Sequence, residues 1–292
     1  MKPGLNGKAG STPLAVAMSS PAADAAEYLR HIAAAGKEYK ALSYELLALE
    51  MGLSVLEVGC GLGLDLPALA ERVGPSGRVV GIEVDYDLLH EAQAVTQGWE
   101  NIAVVRGGTD TLGGDGYFDR VRADWALQHV SHPRLAVAEM WRALGPGGIL
   151  LLIEPDFQAA VVFPGSPRGG NNNQTVQSVL AWSLQCLPHH GTLGRQLKGL
   201  LQQLGYCKRV EVQVGTLLLD SWQEADRILR LSAAAHALVA AEPARANEVQ
   251  GWLRIMEQAT QYGEFVAFFP VVFALAQREW YLPFSGRPSG ER

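Results

Sequence analysis

Hydrophobic and polar positions along this chain follow two periods, and the places where one gives way to the other outline the fold. Between residues 22 and 52, Tyr28, Leu29 and Ile32, then Tyr39, Leu42, Leu46, Leu47 and Leu49, recur at helical spacings. That predicts two helices, separated at Gly36. Val55-Leu56-Glu57-Val58 is short, apolar and strand-like, and it enters the turn Gly59-Cys60-Gly61-Leu62-Gly63. Glycines there allow a tight turn and a close approach of backbone to a ligand. Leu66, Leu69, Ala70 and Val73 then restore the helical spacing, with Asp65 as the expected N-cap and Pro67 in the first turn.

Strand and helix signals alternate from there. Arg78 to Glu83 reads as a second strand, 87–97 as a helix, Asn101 to Arg106 as a third strand and Phe118 to Arg122 as a fourth. A helix near 134–144 meets the turn signal Gly145-Pro146-Gly147-Gly148, and Ile149 to Ile153 is apolar enough for a fifth strand buried on both faces. Helices are expected at about 174–187, 195–204, 222–241 and 244–261, with a sixth strand at Arg209 to Leu219 and a seventh at Phe265 to Ala276. The alternation predicts an α/β fold with a doubly wound, mostly parallel sheet of seven strands. Residues 21–52 would form a helical lid, 53–157 the core, and 158–284 the rest of the core with helical insertions. The stretches 1–20 and 285–292 read as flexible tails and 163–173 as a loop.

Composition narrows the class. The net charge of −6 and pI near 5.7 argue against a nucleic-acid partner. No window reaches the ~18 apolar residues of a membrane span, and no apolar leader stands at the N-terminus. Cys60, Cys186 and Cys207 are far apart and form no CxxC pair. They fit a reducing, cytoplasmic setting with no structural metal. A homodimer is compatible with the sequence.

Three features converge on a nucleoside ligand. The glycine turn is one. Glu83, at the end of the second strand, places a carboxylate where both ribose hydroxyls can donate to it. Gly107-Gly108-Thr109-Asp110 follows the third strand at the same edge of the sheet. A dinucleotide fold would share this geometry, but its fingerprint spaces the third glycine one residue further on. Glu57 would also repel a pyrophosphate, whereas it suits a ligand bearing a cationic amine.

Glu57-Val58-Gly59-Cys60-Gly61-Leu62-Gly63, Gly81-Ile82-Glu83-Val84-Asp85, Phe118-Asp119-Arg120-Val121 and Leu144-Gly145-Pro146-Gly147-Gly148 resemble the successive motifs of class I S-adenosylmethionine-dependent methyltransferases. Ala126-Leu127-Gln128-His129-Val130, with His132-Pro133, is similar to the ubiquinone and menaquinone type, and Glu154-Pro155-Asp156-Phe157 to bacterial small-molecule members. The resemblance implies a Rossmann-like core and S-adenosylmethionine as cofactor, with S-adenosylhomocysteine as product. It implies that Gly59, Cys60, Gly61 and Gly63 pass beneath the cofactor and that Glu57 sits near its amine. Glu83 would take the ribose and Val84 flank the adenine, with Gly108, Thr109 and Asp110 beside it. Ala123 and Asp124 would lie near the methionyl group. The expected activity is methyl transfer to oxygen, nitrogen or carbon of a small molecule, in secondary metabolism or quinone-like biosynthesis. A protein that binds the cofactor without methylating is the alternative.

Catalysis of such a displacement is largely positioning plus proton removal. His129 is the candidate base, with a structural or substrate-shaping role equally open. Tyr28, Tyr39 and Tyr44 read as helix-packing residues, Trp182, Trp222 and Trp252 as core, and His189-His190 as a surface pair.

Overall fold

The computed structural model describes residues 22–112, 114–163, 172–186 and 191–280. The expected tails, most of the 163–173 loop and His189-His190 lie outside the described residues. The chain begins with helices α1 (Ala22–Ala35) and α2 (Lys37–Leu46), hinged at Gly36. Then come β1 (Ser54–Val58), α3 (Leu66–Val73), β2 (Arg78–Glu83), α4 (Tyr86–Val95) and β3 (Ile102–Arg106). β4 (Phe118–Asp124), α5 (Pro133–Ala143) and β5 (Leu144–Pro155) complete the first half. The second half holds β6 (Val161–Phe163), α6 (Asn172–Cys186), α7 (Leu197–Leu201) and β7 (Cys207–Leu219). It ends with α8 (Trp222–Leu229), α9 (Leu231–Ala241), α10 (Ala246–Gln261) and β8 (Val266–Arg278).

The strands form one sheet in the order β3-β2-β1-β4-β5-β8, with β7 on the outer side of β8. Pairs among β1 to β5 are parallel, and β8 runs antiparallel between β5 and β7. This is the expected α/β, doubly wound architecture. An eighth, three-residue strand, β6, continues the β5 edge against the start of β8.

Strand alternation sorts the core into two layers, as period-two side-chain placement requires. Val55, Leu151 and Ile153 face one layer, with α3 and helices α6, α8, α9 and α10. Leu56, Ala123, Leu150 and Leu152 face the other, with α5 and α7. Both faces are covered, so the central strands are apolar almost throughout.

Local chemistry accounts for where elements differ from expectation. Helix α4 starts at Tyr86 because the Asp85 side chain caps it, accepting from Asp87 and Leu88 N–H at 2.9 and 3.0 Å. The expected helix at 222–241 is two helices. Arg230 adopts the left-handed conformation (φ 54°), ending α8 and opening α9. The Gly145–Gly148 turn lies inside β5: Leu144 pairs with Phe118 but Ile149 with Arg120, so the glycines bulge out of the ladder. Among the described residues no helix is long and apolar enough to cross a membrane.

Candidate cofactor site

The carboxyl ends of β1 and β4 open onto a narrow cleft of about 70 Å³ that communicates with solvent. Its floor is the glycine turn, Gly59 to Leu62, with Leu64 and Asp65. Leu29, Ile32 and Ala33 of α1 and Tyr39 and Lys40 of α2 cover it, while Glu57, Asp124 and Trp125 close the inner wall. Gly59 and Gly61 hold φ of 71° and 54°, in the region that favours glycine. A Cβ on Gly59 would stand 2.7 Å from the Ala126 Cβ, and one on Gly61 would stand 3.1 Å from Leu29 Cδ1. Bare backbone is therefore what α1 and the turn after β4 pack against.

A buried charge cluster lies beneath this cover. Glu57 and Arg122 are register partners on β1 and β4, and Arg122 Nη1 donates to Glu57 Oε1 at 2.5 Å. Arg122 Nη2 donates to Asp124 Oδ2 at 2.7 Å, and Nη1 lies 3.3 Å from Asp65 Oδ2. Lys40 comes down from α2 to pair with Asp65 and, at 3.4 Å, with Asp124. Tyr44 donates to Asp65 Oδ1 at 2.7 Å. Burial pushes the Glu57 carboxyl up to about 8; Arg122 opposes that, and the Asp65 and Asp124 carboxylates add to it. Asp65 behaves oppositely. Burial would raise it, but Arg122 and Lys40 hold it well below the usual range. Three carboxylates face two cations, so the fully ionised cluster carries one excess negative charge.

Two acceptors in the cluster have no hydrogen-bond partner among the described residues: Glu57 Oε2 and Asp124 Oδ1. Both are buried on residues that line the cleft. Unsatisfied buried acceptors on a cluster that gains an excess negative charge once Glu57 ionises suit a cationic ligand group such as the α-ammonium of a methionine moiety. S-adenosylmethionine carries such a group.

Glu83 closes the end of β2 against the turn. Its Oε2 accepts from Gly61 N–H at 2.9 Å, and Oε1 accepts from Val84 and Asp85 N–H at 2.8 and 2.9 Å. Glu83 is buried with three backbone N–H groups on its carboxylate, and it is not among the residues that line the cleft. Val84 is exposed beside it, and Gly107 N–H donates to the Glu83 carbonyl at 3.0 Å. Gly108 is bonded to Thr111, with half-buried Thr109 next in the loop, and Asp110 Oδ1 lies 3.0 Å from where a Gly108 Cβ would be. Glu83, Val84, Gly108, Thr109 and Asp110 thus gather at the neighbouring ends of β2 and β3.

Some expected residues sit elsewhere. Ala123 alternates to the opposite face of β4 and is fully buried in the second core layer, so of that pair only Asp124 lines the cleft. Asp65 occupies the N-cap position of α3 but caps nothing with its side chain, which is spent on the charge cluster. Burial, with the Glu83 and Glu57 carboxylates nearby, raises the Cys60 thiol, so it stays protonated within the turn. His129 is exposed on the short 3-10 turn Leu127–His129, outside the lining of the cleft. Among the described residues no group of three or more His, Cys, Asp or Glu is placed to hold a metal ion.

Lys40, Tyr44, Arg122 and Trp125 were not expected at the site. Arg122 lies among the charged residues Asp119, Arg120 and Asp124 of β4, and only the register that sets it opposite Glu57 distinguishes it. Trp125 is held at φ 55°, a strained conformation for a bulky side chain, directly after β4.

Comparison with known proteins adds to this geometry. Residues 56–152 match the family described as "Methyltransferase domain". An uncharacterized 37.1 kDa protein in transposon TN4556 of Streptomyces fradiae is 33% identical over 234 residues, spanning 79% of this chain and 66% of that one. A demethylmenaquinone methyltransferase of Staphylococcus aureus is 33% identical over 118 residues, 40% of this chain and 49% of that one. The chain thus covers just under two thirds of the first relative and about half of the second. The YcgJ protein from Bacillus subtilis has a similar fold, with a TM-score of 0.55 at 17% identity over 83% of this chain and 99% of that one. The matched segment starts in β1 and ends in β5, so the likeness to a methyltransferase domain falls on the strands and turns that form the floor and inner wall of the cleft.

Proposed function

We propose that this protein transfers a methyl group from S-adenosylmethionine to an oxygen, nitrogen or carbon atom of a small molecule. The observation that carries the reading is the pair of buried, unpartnered acceptors, Glu57 Oε2 and Asp124 Oδ1, beside the glycine turn. In this reading they take the cofactor's ammonium, and Glu83 takes the ribose hydroxyls. The bound cofactor supplies an electrophilic methyl on a sulfonium. The protein's own part is to fix that group over the Gly59–Gly63 backbone, to exclude water beneath α1 and α2, and to present the acceptor from the side of Trp125. His129 is the proposed base on the turn after β4. Because His129 lies outside the cleft lining, it would take the proton of an acceptor that extends past that lining onto the turn.

A quinone-like acceptor is the finer reading. It is supported by the Ala126–Val130 segment and by the partial likeness to the demethylmenaquinone methyltransferase. The acidic balance of the chain supports a small molecule over a nucleic acid, and its unpaired cysteines Cys60 and Cys207 support a reducing, cytoplasmic setting. Calorimetric titration with S-adenosylmethionine tests the binding step. The wild type should bind, and Glu83→Ala should bind about tenfold more weakly or worse, as loss of a charge-assisted hydrogen-bond acceptor implies. Equal affinity would remove Glu83 from the site. Release of S-adenosylhomocysteine with a panel of small phenols, quinols and amines tests the transfer. Binding with no release across the panel would favour the non-methylating alternative.

A further inference from the structure

The unpartnered acceptors of the cleft are matched by two unpartnered donors. The Tyr39 hydroxyl and the Trp125 indole N–H are both buried and have no hydrogen-bond partner among the described residues, and both residues line the cleft. Buried polar groups are rarely left so, and each costs about 1–3 kcal/mol when unsatisfied. The two rings lie nearly parallel, 5° between planes with centroids 6.4 Å apart. Phe157 and Phe269 back Trp125 at 5.6 and 5.9 Å, and Phe273 backs Tyr39 at 6.2 Å. Both donors are therefore fixed in place by aromatic packing. Gly36 is part of that fixing, because a Cβ there would collide with the Tyr39 ring.

We propose that the Tyr39 hydroxyl and the Trp125 indole N–H form the acceptor subsite, donating together to an oxygen anion or carbonyl on a small planar substrate. This rests on the methyl-transfer reading and names the acceptor's chemistry within it. The indole can only donate. Burial and the Asp124 and Asp65 carboxylates keep the Tyr39 hydroxyl protonated, so it too serves as a donor. A ligand atom that satisfies both must carry lone pairs, which a protonated amine does not. The cofactor's own carboxylate has a better partner in Lys40, the cation among the lining side chains. Trp125 immediately follows Asp124, so the donor pair adjoins the carboxylate proposed for the cofactor's ammonium. The left-handed backbone at Trp125 is the strain that aims its side chain there.

The probe is 4-nitrophenolate, whose visible absorbance reports its ionisation, titrated into the full chain saturated with S-adenosylhomocysteine. The wild type should bind the phenolate and lower its apparent pKa. Tyr39→Phe and Trp125→Phe should each weaken probe binding about tenfold while leaving S-adenosylhomocysteine affinity within about threefold. Both variants keep the ring, and Tyr39→Phe decides alone if Trp125→Phe fails to fold. Wild-type protein that binds S-adenosylhomocysteine but not the probe overturns the subsite, as do variants that bind the probe normally. Parallel loss of S-adenosylhomocysteine affinity also overturns it, because the donors would then hold the cofactor. Absence of S-adenosylhomocysteine binding in the wild type instead defeats the methyl-transfer reading itself.

Discussion

Glu57 on β1 and Arg122 on β4 face each other across the sheet register, 2.5 Å apart, with no more than 3% of either side chain exposed. Removing one member of such a pair leaves an uncompensated buried charge. Arg122→Met should therefore cost about 3–5 kcal/mol, read from urea unfolding. The double variant Glu57→Gln/Arg122→Met should recover part of that loss. A double variant no more stable than Arg122→Met would show that the pairing is not what the arginine contributes.

The Glu57 carboxyl gives the protein a pH signature. Its folded-state pKa is pushed up to about 8 by burial, against an ordinary value of 4.5. Between those values the folded state holds a proton that the unfolded state has released, so this group's contribution to stability declines as pH rises across the window. Urea midpoints of the wild type should fall over that range relative to Glu57→Gln, in which the slope is lost. Binding a cation against Glu57 favours the ionised form. Below pH ~8, S-adenosylmethionine binding should therefore release a proton, seen as a calorimetric heat that varies with the buffer's ionisation enthalpy.

The legible part of the molecule was the part governed by local rules. Val55 to Gly63, Glu83 and the strand-helix alternation follow from spacing and glycine chemistry alone. The charge cluster did not, because it is assembled from four separate elements. Lys40 looks like any solvated helical lysine until α2 brings it to Asp65 and Asp124, and Asp65 looks like a helix cap until Lys40 and Arg122 reach it first. Strand parity was available and would have set Ala123 apart from Asp124. Tyr39 was read as packing, which holds for its ring, while its buried hydroxyl has no hydrogen-bond partner among the described residues.

Gly59 is a third point of test. Its φ of 71° and the 2.7 Å approach to Ala126 leave no room for a side chain. Gly59→Ala should cost about 1–3 kcal/mol in strain. It should also displace the turn after β4, so S-adenosylmethionine affinity falls more than stability alone accounts for. A variant with wild-type calorimetric affinity would mean that this turn tolerates displacement.

Glu154 supports the same turn from below. Its Oε1 accepts from Leu127 N–H at 2.6 Å, and burial raises its carboxyl well above the usual range despite that bond. Glu154→Gln keeps an acceptor for Leu127 and should be nearly neutral in thermal unfolding. Glu154→Leu strips the acceptor and should cost about 1–3 kcal/mol. Equal melting of the two variants would show that the contact with Leu127 contributes nothing.

Lys40 belongs to α2, whereas Asp65 and Asp124 belong to the sheet and its first helix. The ion pairs that hold α2 down are therefore made with the carboxylates a cationic ligand needs. Helix position and ligand affinity are then two readings of one free energy, and linkage requires the coupling to be reciprocal. Whatever factor separates ligand affinity with α2 seated from that with α2 lifted, the ligand must shift the seating equilibrium by the same factor. A compound that binds the outer surface of α2 more tightly in one of these two positions, touching nothing in the cleft, would consequently act as a modulator of the site.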